Sequence, residues 1–353
     1  MDLGVSVEHE LLQSALRDFL AKECPPEFVR SCWESDTGRS DKLWRQLAEL
    51  GVTGTLVPEA RGGLGTDETL LTLLLEETGR AALAEPMIDT AAVAVPLLRD
   101  LEPPERADSW LERIASGDAR VAVGHDANAF LADAHVAELL LLPHGDEIHA
   151  VPPADVRLTR EPSNDPSRRI FSVAWSPRAE TCLVTGEAAR ELLAAAFDRG
   201  ALGCAAEALG AGDRLVELAV SYAGQREQFG RPIGSFQAVK HMLADVKVKL
   251  EYARPLVYRA AWSVAKSARL RGLHVSMAKL AACEAAAAAA RTALQVHGAI
   301  GYTWEHDLHV FMRRAWSLDL SWGRRDVHEC RVREAVLDGE APIGPGSTFA
   351  GEE

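Results

Sequence analysis

The chain reads as mainly α-helical, with a small β domain set between an N-terminal helical domain and a C-terminal helical bundle. Three observations carry this reading. Apolar residues recur at helical spacing over most of residues 1–118 and again over 186–340. Between them, over 119–185, the texture changes to short β-type runs separated by Pro, Gly and Asp. A six-alanine block at 285–290 sits inside a helical pattern, where alanine favours helix and lets neighbouring helices approach closely.

Taken in order, "SVEHELLQSALRDFLAKE" predicts a helix capped by Ser6, with Glu8 and Glu10 near the positive end of its dipole. "DKLWRQLAELG" predicts a second that stops at Gly51. "VPEARGGLGTD" (57–67) is a glycine-rich loop, and "DETLLTLLLEETGRAALA" a helix apolar enough to be buried. Helical character continues through "PMIDTAAVAVPLLRD". The β domain comprises "RVAVGHD", "HVAELLLLPHGDEIHAVPP" and "RRIFSVAWSP", with "LTREPSNDPSRR" a polar loop. Long Ala- and Leu-rich helices then form the bundle, with Pro255 expected to kink one of them. The segment 341–353, "APIGPGSTFAGEE", is expected to be a disordered tail.

Composition excludes several functions. The 353 residues carry a net charge of −14, unsuited to nucleic acid or an anionic membrane surface. No run approaches membrane-spanning length and no signal peptide is read, so a cytoplasmic location is expected. The six cysteines are scattered without a C-x-x-C pair, which predicts neither a disulfide framework nor a metal site.

Two stretches carry candidate chemistry. In "REQFGRPIGSFQ" (226–237), Arg226, Gln228, Phe229 and Gly230 interrupt a helical region. A guanidinium pairs with phosphate, an aromatic ring offers a stacking face, and glycine lets backbone N–H groups approach a ligand. Judged locally, the same residues are better described as a solvated helix end with Phe229 in the core. In "QVHGAIGYTWEHDLHVFMRRA" (295–315), Gln295, Gly298 and Gly301 offer a similar opening, or an ordinary glycine-capped helical turn.

The order and separation of these stretches, together with "FQAVKHMLADVKVKLEYAR", "MAKLAACEAA" and "MRRA", resemble the C-terminal bundle of the acyl-CoA dehydrogenase family. Upstream, a P-E-x-x-G-G-x-G loop followed by E-E-x-G-R resembles that family's N-terminal domain. The resemblance implies an N-terminal helical domain, a middle β-barrel-like domain and a C-terminal four-helix bundle. It also implies bound FAD, an acyl-CoA substrate desaturated at its α and β carbons, and an electron-transfer flavoprotein as acceptor. In the family, the residues matching Arg226, Gln228, Phe229, Phe236, Gln295, Gly298 and Ala299 hold the adenine and diphosphate end of a neighbouring subunit's flavin. Arg324, just past the catalytic loop, is a further candidate contact to the diphosphate.

The sequence departs from the family where the base should be. The usual glutamate position falls on Trp322, and the alternative position on the first bundle helix falls on Gly200, so no catalytic residue is assigned. An indole has no basic lone pair, and a positioned base contributes about 10²–10⁴-fold to such a proton transfer. The middle domain also lacks the family's flavin-ring loop. This pattern resembles the small, base-less subunits of heteromeric α2β2 dehydrogenases of actinobacterial steroid side-chain degradation. Such a chain, inactive alone, would complete the FAD site of a homologous catalytic partner. The alternatives are a self-sufficient homo-oligomer with a base relocated to Asp319 or Glu207, and a flavin-free structural subunit.

Overall fold

The computed structural model describes residues 6–103, 107–339, 341 and 344. Apart from residues 341 and 344, the expected disordered tail lies outside the described residues. The fold is mainly helical with a small sheet region, as the sequence predicts.

The N-terminal part contains α1 (Val7–Glu23), α2 (Pro26–Glu34), α3 (Asp41–Glu49), α4 (Glu68–Arg80), α5 (Val95–Arg99) and α6 (Asp108–Ala115). Ser6 caps α1 by accepting from the His9 backbone N–H at 3.2 Å. Gly51 follows α3 at φ +79, the left-handed conformation that a glycine adopts without penalty. "PMIDTAAVA" departs from regular α-helix: Ile88–Ala94 is a π-helical turn ahead of α5. Pro96 lacks an N–H and its ring crowds the carbonyl four residues back, which widens the turn.

Seven strands follow: β1 (Val121–Val123), β2 (Leu131–Ala132), β3 (Leu139–His144), β4 (Glu147–Val151), β5 (Arg157–Glu161), β6 (Ile170–Ala174) and β7 (Cys182–Thr185). They form a four-stranded sheet ordered β1-β3-β4-β7, with β1 parallel to β3, and a three-stranded sheet ordered β2-β6-β5. The run of four leucines in β3 is explained by two buried faces. Leu139 and Leu141 join the main helical core, whereas Leu140 and Leu142 pack with Leu131 and Phe171 between the two sheets. A strand buried on both faces needs no polar alternation.

The bundle comprises α7 (Gly186–Gln225), α8 (Gln237–Ala265), α9 (Arg271–His297), α10 (Leu308–Leu320) and α11 (Arg325–Leu337). A small hairpin, β8 (Glu227–Gln228) with β9 (Arg231–Pro232), joins α7 to α8. α8 runs through Pro255 as one helix. Of the alanine block, Ala285, Ala286, Ala289 and Ala290 are buried, consistent with close helix packing.

One crossing locks the N-terminal helices to the bundle. A Cβ on Gly79 would lie 2.0 Å from the Glu207 carbonyl oxygen, and one on Gly210 would lie 1.8 Å from that of Glu76. α4 and α7 therefore meet backbone to backbone, and the glycine of E-E-x-G-R is a packing residue. The adjoining glutamates tie the crossing to other helices. Glu77 accepts from Arg17 Nε at 2.8 Å and Nη2 at 2.6 Å, and Glu76 pairs with Arg254 at 2.6 Å.

Gly79→Ala or Gly210→Ala must displace backbone, so each should cost about 3 kcal/mol in denaturant unfolding. Gly224→Ala, in α7 with open space around its Cβ, should instead add about 0.5–1 kcal/mol.

Candidate functional site

The two candidate stretches lie at one end of the bundle. Tyr222, one turn before Arg226, stacks on His297, the residue before Gly298, with ring centroids 4.5 Å apart. Arg226 ends α7, and its carbonyl accepts from the Ile233 N–H at 2.8 Å, closing the hairpin. The turn of that hairpin is Phe229–Gly230, with φ of +54 and +76. Two-residue hairpin turns of this type favour Asn-Gly, because both central residues must be left-handed.

Phenylalanine is strained in that conformation, and its side chain is 93% exposed, so it is not the core residue that a purely local reading allows. Phe236, half-buried at the start of α8, lies edge-on to Phe229 at 6.1 Å and receives the Arg231 guanidinium at 4.2 Å. Arg226, Gln228, Gln295, Gly298 and Ala299 are all exposed. Gly298 has φ +63, and a Cβ there would meet nothing within 4 Å.

Arg324 is not part of this cluster. It is exposed, lies 3.1 Å from Asp326, and follows Gly323, which packs on Phe197. Phe197 and Tyr222 are roughly 40 Å apart along α7 at about 1.5 Å per residue.

A second site lies where the three parts of the chain meet. Here the two positions assigned to a base are in direct contact: a Cβ on Gly200 would lie 2.1 Å from the Trp322 indole. Trp322 is 2% exposed and has φ +53, an outlier for a bulky residue that its surroundings enforce. Its backbone N–H donates to Asn128 Oδ1 at 2.7 Å, and its indole N–H to Asp89 Oδ1 at 3.0 Å. His328 Nε2 bonds the Trp322 carbonyl at 3.0 Å, and burial lowers the pKa of that imidazole to about 4, so it donates as a neutral ring. Lys279 Nζ binds the carbonyls of Leu318 and Ser321, fixing the end of α10 just before the tryptophan.

A cavity of about 90 Å³ remains beside the indole, lined in part by Asp89, Asp133, Glu207, Arg314 and Trp322. Small-molecule pockets usually occupy about 300–1,000 Å³. Of the two carboxylates considered for a relocated base, Glu207 reaches this cavity and Asp319 does not line it. Glu207 is engaged by the Thr78 hydroxyl at 3.1 Å and by Arg314 at 3.6 Å, and burial pushes its pKa up to about 7. Asp319 is instead turned toward Cys283 on α9.

The sequence reading missed Asp89, whose pKa burial also raises to about 7. The signal was available: it is the single charged residue in the apolar run from Pro86 to Leu98.

Residues 6–118 match the acyl-CoA dehydrogenase N-terminal domain, and residues 190–337 match the C-terminal domain. The acyl-CoA dehydrogenase IpdE2 of Mycobacterium tuberculosis is 32% identical over 311 residues, covering 87% of this chain and 91% of its own. The chain belongs to the acyl-CoA dehydrogenase family. In fold it also matches a chain of the ChsE4–ChsE5 complex of Mycobacterium tuberculosis, with TM-score 0.84, 24% identity and coverage of 97% and 100% of the two chains. Butyryl-CoA dehydrogenase of Megasphaera elsdenii superposes with TM-score 0.86, at 22% identity and coverage of 96% and 100%. The family comprises flavoprotein oxidoreductases acting on CH–CH groups. Among the described residues, no helix is long and apolar enough to cross a membrane.

The raised pKa of Asp89 makes a signed prediction. A carboxyl that holds its proton more tightly when folded contributes stability that is present below about pH 4 and lost as pH rises toward about 7. Asp89→Asn keeps an acceptor for the indole N–H but removes the titration. In thermal unfolding it should be more stable than the parent at pH 8, with the advantage shrinking as pH falls and gone below about pH 4.

Proposed function

We propose that this chain is the non-catalytic partner subunit of a heteromeric FAD-dependent acyl-CoA dehydrogenase. The observation that carries this reading is the contrast between the two ends of α7. One end offers an open cradle, and the other is closed by an indole at both base positions.

The cradle suits the ADP portion of FAD. Arg226 would pair with a diphosphate, the Phe229 ring would stack on adenine, and Gly298 and Ala299 leave room for backbone approach. A strained, fully exposed phenylalanine in the turn supports a ligand role, because a turn alone is better served by asparagine. The other end does not suit the flavin ring or an acyl chain. Its cavity is too small, and the tryptophan on its wall is held through its N–H, its carbonyl and its indole.

FAD supplies the hydride acceptor for α,β-desaturation when bound. In this reading the acyl-CoA, a bulky steroid side-chain ester, is oxidised in the partner subunit, which provides the carboxylate base. An electron-transfer flavoprotein takes the electrons. This chain's residues would anchor the far end of the cofactor and exclude water from it. The fold similarity to a chain of the ChsE4–ChsE5 complex supports a homologous partner, and that to the Tcur3481–Tcur3483 steroid acyl-CoA dehydrogenase, with TM-score 0.84 and 24% identity, supports a steroid-type substrate.

The competing reading is a self-sufficient enzyme with Glu207 as base, favoured only by its cavity-facing position and pKa of about 7. Anaerobic addition of acyl-CoA separates the two. The isolated chain should show no flavin bleaching, whereas the complex with a base-bearing homologue should bleach. Bleaching of the isolated chain would contradict the proposal. In the complex, Arg226→Ala should weaken FAD retention about 10–100-fold. Phe229→Asn should relax the turn, leaving stability equal or up to about 1 kcal/mol higher, while also lowering FAD retention.

A further inference from the structure

Away from both sites, the four-stranded sheet gathers an imidazole, a carboxylate and a thiol. Glu147 and His149 are two residues apart on β4 and share a face. Cys182 opens β7 directly opposite His149. That pairing exists because of a β-bulge: Ile148 pairs with Val184 and His149 with Cys182, so Leu183 is the extra residue. In regular register His149 would face Leu183, and the bulge re-aims the thiol.

We propose that Glu147, His149 and Cys182 form a divalent-metal site, with zinc the best match to the mixed N, O and S donors. One ligand atom from each lies within 4.8 Å of the other two. Zinc bonds of about 2.0–2.3 Å place tetrahedral ligands about 3.4–3.8 Å apart, so small side-chain rotations close the site. His144, across the strand pair from Glu147, has Nδ1 3.9 Å from the Glu147 carboxylate and is the nearest further donor.

The hydrogen bonds around His149 suit a ligating tautomer. The Thr181 hydroxyl donates to the Arg178 carbonyl at 2.9 Å, so it accepts from His149 Nδ1 at 3.0 Å. That bond puts the neutral ring's proton on Nδ1 and leaves the Nε2 lone pair facing the Glu147 carboxylate at 3.0 Å. Either an Nε2 proton or a metal ion fits between them. With a metal there, an Nδ1–H bond to a hydroxyl is the usual support for a ligating histidine. Trp175 covers the site edge-on, 5.2 Å from His149, and His149 itself is 1% exposed.

Binding would deprotonate Cys182, with the proton released to solvent. The result would clamp β7, which runs straight into α7 at Gly186, onto β4. Sequence spacing gave no hint of this, because the ligands come from separate strands and their alignment depends on the bulge.

The test uses the full chain in the assembly in which it purifies, stripped with chelator and dialysed against Zn²⁺ or Co²⁺. One equivalent of zinc should be retained and should raise the melting temperature. The cobalt form should show a thiolate charge-transfer band with tetrahedral ligand-field intensity. Cys182→Ser, at a half-buried position, should remove that band and weaken zinc binding by about a hundredfold or more. Thr181→Val should weaken it about 10–100-fold, and Cys330→Ser should change nothing. Failure to retain zinc, or one equivalent that survives Cys182→Ser, would overturn the proposal.

Discussion

The contact between Trp322 and Gly200 sets the rest of the functional architecture. The indole lies on α7 at Gly200, where a Cβ would come within 2.1 Å of the ring. Once seated, the ring is held by Asp89, while Asn128 and His328 hold its backbone and Lys279 secures the preceding turn. These partners come from the N-terminal helices, the β domain and the bundle. The indole therefore acts as a pin through the junction of all three.

On the proposed division of labour, the chemistry of this chain lies at its edges. The open edge is the far end of α7, where the Tyr222–His297 stack aligns two turns that are remote in sequence. In the proposed reading, the strain of Phe229 and the freedom of Gly298 serve a surface that meets a ligand from outside the subunit. Tyr302 and Trp304, 78% and 62% exposed beside that surface, extend it with further aromatic area.

Much of this architecture was legible in the sequence. The change from helical to alternating texture and back marks the order of the parts, and the E-E-x-G-R and R-E-Q-F-G segments carry the family resemblance. What the sequence hid is conformational or non-local. The π-helical turn at Ile88–Ala94 follows from Pro96, but periodicity over so short an apolar run cannot reveal it. The positive φ of Phe229 contradicts the residue's own preference, so no local rule would place it there. Arg324 lies close to Trp322 in sequence and far from Arg226 in space, a separation set by the length of α7. The Glu147–His149–Cys182 cluster depends on a one-residue bulge in strand pairing.

Cofactor stoichiometry in the purified complex tests the central claim most directly. FAD and each polypeptide would be quantified together, then the flavin titrated anaerobically with acyl-CoA. Division of labour between the subunits predicts one FAD per pair of chains, all of it reducible, with reduction abolished when the catalytic partner's glutamate is replaced. One FAD in every chain, with reduction surviving that replacement, would contradict it.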